Sequence, residues 1–122
     1  MTGPEFEHKL CLWFREHGYW ALNVPKNQFG AQPFDVLAIK GSMIWAVDAK
    51  VCSEPRLRLN RVEDNQMLAF DAISQKTDAL CGFMCLHDGL VYFVPYEDVK
   101  KEKSASIKLI DNGFMVMGRL EE

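Results

Sequence analysis

The chain has 122 residues, of which 48% are hydrophobic and 25% are charged, and its formal net charge at pH 7 is −3. This composition is typical of a globular protein, so it excludes disorder and collagen-like repeats, and the length suits one domain over residues 1–122. No apolar run approaches the roughly 20 residues of a membrane span, and the charged N-terminus argues against a secretory signal. We therefore expect a cytoplasmic protein, and its acidic balance excludes a simple nucleic-acid coat.

The spacing of apolar residues predicts seven main elements in the order helix, strand, strand, strand, helix, strand, strand. Their expected bounds are residues 4–17, 19–24, 34–40, 43–51, 61–75, 80–86 and 90–95. Asn60 is the expected N-cap of the second helix, with Glu63 completing a capping box. A helical turn is expected over 97–101, and a terminal hairpin is expected over 107–117. This order predicts an α/β sandwich with a mixed sheet and a crossover helix.

Two aspartates are predicted to face each other across the central hairpin. If Gly41-Ser42 forms a two-residue turn, Lys40 pairs with Met43, and counting back in step pairs Asp35 with Asp48. Opposed side chains lie about 4.5–5.5 Å apart between Cβ atoms, so two carboxylates placed in this way repel each other. A divalent cation between them removes that repulsion.

Lys50 lies two residues after Asp48, so strand alternation places both side chains on the same face. Two carboxylates with the Ala49 carbonyl are hard oxygen ligands that suit Mg²⁺, with Mn²⁺ as a substitute. Such an ion polarises a phosphodiester and acidifies a bound water, and the lysine orients that water. The alternative is that Asp48 and Lys50 are ordinary polar positions at the end of a strand.

The two predicted helices each offer one further polar side chain to this site. Glu7 lies on the first helix and is preferred to Glu5 as an additional acidic group. Gln66 falls on the inward face of the second helix, where a glutamine needs a partner: a catalytic water, a carboxylate or the substrate backbone. The alternatives are a solvated first-turn glutamate and a core glutamine bonded to the main chain.

Basic residues cluster around the strand that carries Asp48 and Lys50 and are expected to contact phosphates of the substrate. The residues proposed for this role are Lys26, Arg56, Arg58 and Arg61. The alternative is a solvated loop. The four cysteines show no complete zinc-ligand pattern, so we expect free, buried thiols.

These residues resemble the PD-(D/E)xK nuclease superfamily, and within it the Holliday junction resolvases of the RecU and phage types. The matching motifs are Phe6-Glu7, Pro33-Phe34-Asp35, Asp48-Ala49-Lys50 and the segment from Arg58 to Gln66. The strand Val91-Tyr92-Phe93-Val94-Pro95 is similar to the closing strand of that group.

The resemblance implies a restriction-endonuclease-like core and a Mg²⁺-dependent endonuclease that cuts branched DNA as a homodimer. Within it, Asp35 and Asp48 are metal ligands, Lys50 is the catalytic lysine, Glu7 is an outer ligand and Gln66 is a supporting residue. Two other functions are compatible with the sequence: a restriction- or repair-type nuclease of ordinary duplex, and a non-catalytic nuclease-fold module that binds DNA or protein.

Overall fold

The computed structural model describes residues 1–28 and 32–109, and the backbone of 115–119. The helices are α1 (Gly3–Glu16), α2 (Asp64–Lys76) and α3 (Tyr96–Lys101), with a 3₁₀ turn at Leu59–Arg61. The strands are β1 (Trp20–Asn23), β2 (Val36–Lys40), β3 (Met43–Val51), β4 (Arg56–Arg58), β5 (Leu80–His87), β6 (Leu90–Pro95), β7 (Ser106–Lys108) and β8 (Met115–Arg119).

The core of the molecule is a six-stranded mixed sheet in the order β1-β2-β3-β5-β6-β8. All neighbours in it are antiparallel except β3 and β5, which are parallel. A parallel pair needs a crossover connection, and α2 lies in that connection. The expected α/β architecture with a mixed sheet and a crossover helix is thereby confirmed.

Helix α1 covers one face of the sheet. The Thr2 side chain caps it by accepting a hydrogen bond from the Glu5 backbone N–H at 3.3 Å. Phe6, Leu10 and Phe14 recur at four-residue spacing, and all are buried against the sheet. Apolar side chains of α2, α3 and β7 pack on the opposite face. Strand β3 is thus enclosed between two apolar layers.

The central hairpin has the predicted register. Lys40 pairs with Met43, Val36 pairs with Val47, and Gly41 in the turn has a φ of 58°. The Asp35 backbone N–H, just before β2, donates to the Val47 carbonyl at 3.0 Å. Asp35 therefore lies beside the end of β3, as the count from the turn predicts.

The second helix begins later than predicted. Its N-cap is Glu63, whose backbone N–H donates to Oε1 of Gln66 at 3.1 Å, and Asn60 lies in the preceding 3₁₀ turn. The capping interaction therefore pairs Glu63 with Gln66, and the expected pairing of Asn60 with Glu63 was wrong. Burial explains the choice, because Gln66 is only 5% exposed and its oxygen needs a donor.

The expected terminal hairpin was also wrong, because its two strands join different sheets. Strand β7 pairs with β4 in a separate two-stranded sheet, with Leu57 opposite Ile107. Strand β8 pairs with β6 at the edge of the main sheet. The predicted turn at 111–113 lies outside the described residues.

The four cysteines are free and buried, as predicted. They lie among apolar neighbours of the two core layers, where a thiol behaves as a small apolar group. In the part of the chain that the structure describes, no helix combines the length and the apolar character that crossing a bilayer requires.

Candidate active site

A polar cleft of about 260 Å³ opens where β2 begins and β3 ends. The residues that line it are Glu7, Lys26, Gln32, Asp35, Asp48, Ala49, Lys50, Glu63 and Gln66. They come from α1, the loop before β2, β3 and the start of α2. The cleft brings together all the residues that the sequence proposed as catalytic, together with Lys26.

Asp35 is held from both sides of its carboxylate. Oδ2 accepts a hydrogen bond from the Ala49 backbone N–H at 2.7 Å, and Oδ1 accepts one from the Gln32 side-chain amide. Burial raises the pKa of Asp35 to about 6, and the adjacent Glu7 carboxyl adds to the increase. The backbone and amide donors thus fix the carboxylate in place, while its surroundings disfavour its charge.

Asp48 is the most buried acidic group of the cleft, with 2% of its surface exposed. Its Oδ2 lies 2.9 Å from Nζ of Lys50 as an ion pair, but it has no partner with hydrogen-bond geometry. Burial and the neighbouring Asp35 raise the pKa of Asp48 to about 7, and Lys50 opposes that increase. A buried acidic oxygen whose ion-pair contact lacks hydrogen-bond geometry is a group that a cation would satisfy.

Glu7, rather than Glu5, faces the cleft. Glu7 is partly buried beside Asp35, whereas Glu5 is exposed in the first turn of α1 and does not line the cavity. The difference follows from the helix, because Glu7 lies next to the buried Phe6 and three residues before the buried Leu10. A third carboxylate therefore joins the two aspartates.

The donor set fits a hard divalent cation. Ala49 directs its N–H toward Asp35, and the carbonyl of the same residue leaves the strand on the same side. Within residues 1–28 and 32–109, no three His, Cys, Asp or Glu side chains form a ready-made metal site. The fit therefore depends on Asp35, Asp48 and the Ala49 carbonyl, and Mg²⁺ accepts so few protein ligands because it keeps several waters.

Two lining residues escaped the reasoning from sequence. Gln32 lies in a loop that has no periodic pattern, and Glu63 seemed to serve Asn60 as a capping partner. The sequence did offer one signal for Gln32. Its polar side chain lies three residues before Asp35, the acidic residue that precedes the buried hairpin. Gln66 was found, but its oxygen bonds the main chain, which leaves its amide nitrogen as the donor for the cleft.

The four proposed DNA contacts do not lie together. Lys26 lines the cleft, whereas the three arginines lie outside it. Arg58 forms an exposed ion pair with Glu54 at 2.7 Å, and Arg56 donates to the Ser106 hydroxyl at 3.0 Å. Arg61 donates to the Val51 carbonyl at 2.8 Å, at the end of β3. Arg61 therefore lies against the strand that carries Asp48 and Lys50, whereas Arg56 and Arg58 belong to β4.

A family model described as archaeal Holliday junction resolvase (Hjc) matches residues 1–116. Among solved structures, the chain is similar to Hjc of Archaeoglobus fulgidus, described as a Holliday junction resolvase from an archaeal hyperthermophile. That chain is 20% identical, with a TM-score of 0.65 over 87% of this chain and 88% of the other. At that identity the likeness shows the fold alone. No curated protein sequence matches the chain.

These comparisons confirm the predicted resemblance to junction resolvases of the PD-(D/E)xK type. The sequence motifs had suggested the RecU and phage groups, whereas the matching model is the archaeal one. The match extends over almost the whole length of the chain and includes every residue of the cleft. The chain therefore belongs to the archaeal Holliday junction resolvase family, which is a family of nucleases.

Proposed function

We propose that this protein is a metal-dependent endonuclease that cuts branched DNA at the described cleft, with Mg²⁺ as its cofactor and Mn²⁺ as a substitute. The observation that carries the proposal is the buried Oδ2 of Asp48, whose ion-pair contact with Lys50 lacks hydrogen-bond geometry. It lies beside Asp35 in a polar cleft that is open to solvent. A bound Mg²⁺ would polarise the scissile phosphate and acidify a water.

The residues of the chain have distinct roles in this proposal. Asp35, Asp48 and the Ala49 carbonyl would hold the ion, and Glu7 would act as an outer ligand. The Lys50 ammonium, which is held by Asp48, would orient the attacking water and offset charge on the phosphate. The Gln66 amide would donate to the substrate or to the water.

Contacts to the DNA backbone are proposed for Lys26, which lines the cleft, and for the three arginines of β4 and the following 3₁₀ turn. Their cations would neutralise phosphates on either side of the cut and set the position of the strand. Arg58 must exchange its bond to Glu54 for a phosphate, a small cost because the pair is about half exposed. Arg56 and Arg61 are already ordered by the bonds they make to Ser106 and Val51.

A cleavage assay on end-labelled DNA tests the function. The substrates are a four-way junction, a fork, plain duplex and single strand, with Mg²⁺, Mn²⁺ or EDTA, for the wild type and Asp48→Ala. We expect paired cuts confined to the junction, lost with EDTA and with the variant. Cleavage of every duplex would indicate a restriction- or repair-type nuclease. DNA binding without cleavage under either ion would indicate a non-catalytic module.

We further propose that the protein acts as a homodimer, since a four-way junction presents two equivalent strands that suit a two-fold enzyme. On the edge strand β1, Trp20 and Leu22 project to the same face and are 59% and 40% exposed. Leu68 of α2 is 71% exposed. We assign the contact with the second copy to Trp20 and Leu22, the apolar pair on the edge of the sheet.

Sedimentation equilibrium checks this prediction. We expect a species of twice the 14.0 kDa chain mass, and we expect Trp20→Ser to weaken the association. A wild type that stays monomeric at micromolar concentration, with and without junction DNA, would contradict the dimer.

A further inference from the structure

We propose that Gln32 is a positioning residue that holds the Asp35 carboxylate in the orientation that metal binding requires. The inference rests on the proposed function, because it concerns the ion assigned to Asp35 and Asp48. Gln32 does not contact that ion or the substrate in the proposal. Its effect reaches the site through Asp35.

The first step of the argument is the contact itself. The Gln32 side-chain amide donates to Oδ1 of Asp35, and the Ala49 backbone N–H donates to Oδ2 at 2.7 Å. A carboxylate has about four lone-pair sites, so each oxygen keeps one for a cation after accepting one hydrogen bond. The two donors therefore fix the rotation of the carboxylate without closing it to a metal.

The second step is that Gln32 is itself held. The same side-chain amide also donates to the Phe34 carbonyl at 3.2 Å, and the Gln32 carbonyl accepts from the Asn65 side chain at 3.0 Å. Asn65 lies in the first turn of α2, the helix that also supplies Gln66. Gln32 is thus held at two points: its side-chain amide bonds Phe34, just before β2, and its backbone carbonyl bonds the first turn of α2. A residue held in this way can orient a ligand.

The third step is the negative charge around Asp35. Asp35 is partly buried, and Glu7 and Asp48, its acidic neighbours, repel it when they are ionised. If the Gln32 amide is removed, that repulsion can turn the Asp35 side chain away from Asp48. Loss of an outer hydrogen-bond partner of a metal ligand typically costs about 10- to 100-fold in metal affinity or activity.

The test uses Gln32→Met, which keeps the length of the side chain and removes the amide. Gln28→Met is the matched control, since Gln28 lies in the same loop, is exposed and does not line the cleft. Mn²⁺ binding to the DNA-free protein is measured by isothermal titration calorimetry, and the melting temperature is measured without metal. We expect Gln32→Met to bind Mn²⁺ at least about 10-fold more weakly, with an unchanged metal-free melting temperature.

Three results would overturn the proposal. Wild-type Mn²⁺ affinity in Gln32→Met would show that the amide does not position the ligand. An affinity loss that comes with a lower metal-free melting temperature would show that Gln32 is a structural anchor of the loop. A wild type that binds no divalent ion would overturn both this proposal and the proposed function, whereas the first two results leave the proposed function intact.

Discussion

Lys50 comes from the same strand as Asp48, and alternation along that strand places the two side chains side by side. The Lys50 side chain is 12% exposed, and its ammonium lies 2.9 Å from the Asp48 carboxylate. The ammonium is therefore already positioned in the cleft of the DNA-free protein. An ordered donor of this kind costs little reorganisation during the reaction, and this is what makes such groups effective.

We therefore predict that Lys50→Met lowers the rate of junction cleavage by at least about 100-fold while the protein still folds and binds Mn²⁺. Methionine preserves the length of the stem, so the loss isolates the charge. Single-turnover cleavage and calorimetry measure the two effects. Lys76→Met at the far end of α2 is the control and should cleave like the wild type. Near-normal cleavage by Lys50→Met would show that the lysine has no chemical role.

Asp48 makes the metal-free stability depend on pH. Burial raises its folded-state pKa from 3.8 to about 7, so the folded protein holds a proton that the unfolded chain has lost between these values. The free energy of unfolding should therefore fall as the pH rises from about 4 to about 7. Asp48→Asn should weaken this dependence and stabilise the metal-free protein at pH 8 by about 1 kcal/mol or more.

Urea denaturation in EDTA at several pH values measures this effect. Asp78→Asn, an exposed position after α2, is the control and should follow the wild-type curve. Mg²⁺ should restore stability to the wild type above pH 7 because the ion binds only the ionised carboxylates. A wild-type curve that rises between pH 4 and pH 7 would contradict the assigned burial of this group.

At the scale of elements, strand β5 pairs with β3, which carries Asp48 and Lys50, and it approaches β6 closely at Gly82. A Cβ at this position would lie 2.3 Å from the Val94 carbonyl oxygen and 3.0 Å from the Phe93 ring. Both neighbours are buried, and the carbonyl belongs to the backbone, so neither can move away easily. The glycine is therefore required by the contact between the two strands.

We predict that Gly82→Ala destabilises the protein by about 1–3 kcal/mol, measured by chemical denaturation. Gly3→Ala is the matched control, since nothing lies within 4 Å of a Cβ placed there, and it should leave the stability almost unchanged. Equal stability of the two variants would mean that the β5–β6 contact is looser than described.

The sequence was most informative where a short turn and the two-residue period of a strand act together. The turn at Gly41 determines the hairpin register, and the register places Asp35 beside the C-terminal part of β3. The β4–β7 pair was missed because each strand has only three residues, which are too few to show an alternating pattern. The two strands are also far apart in the sequence. Gln32 was missed for a related reason, since loop paths are determined by tertiary contacts.

At the scale of the whole molecule, the proposed function requires a chain of net charge −3 to bind DNA, which is itself negatively charged. The charged residues of the cleft are Glu7, Asp35, Asp48, Glu63, Lys26 and Lys50. Acidic groups outnumber basic ones there, so the metal-free cleft repels phosphate when its carboxyl groups are ionised. A divalent cation neutralises that excess negative charge.

We predict that Ca²⁺, a hard cation of lower catalytic power, strengthens the binding of junction DNA by the wild type at pH 8. The physical reason is that the cation neutralises the negative charge of the cleft, and fluorescence anisotropy at constant ionic strength measures the affinity. In Asp35→Asn the enhancement should shrink, because one charged ligand is lost. Equal affinity of the wild type in Ca²⁺ and in EDTA would show that the DNA is held entirely outside the cleft.

The small sheet of β4 and β7 has a consequence for how such an enzyme diverges. The cleft is built from residues between Glu7 and Gln66, whereas β7, far along the chain, pairs with the strand that carries Arg56 and Arg58. Changes near β7 therefore reach Arg56 and Arg58 more directly than they reach the carboxylates of the cleft. Under the proposed function, inherited variation in that distant segment would alter which DNA shape is preferred without altering the residues assigned to hydrolysis.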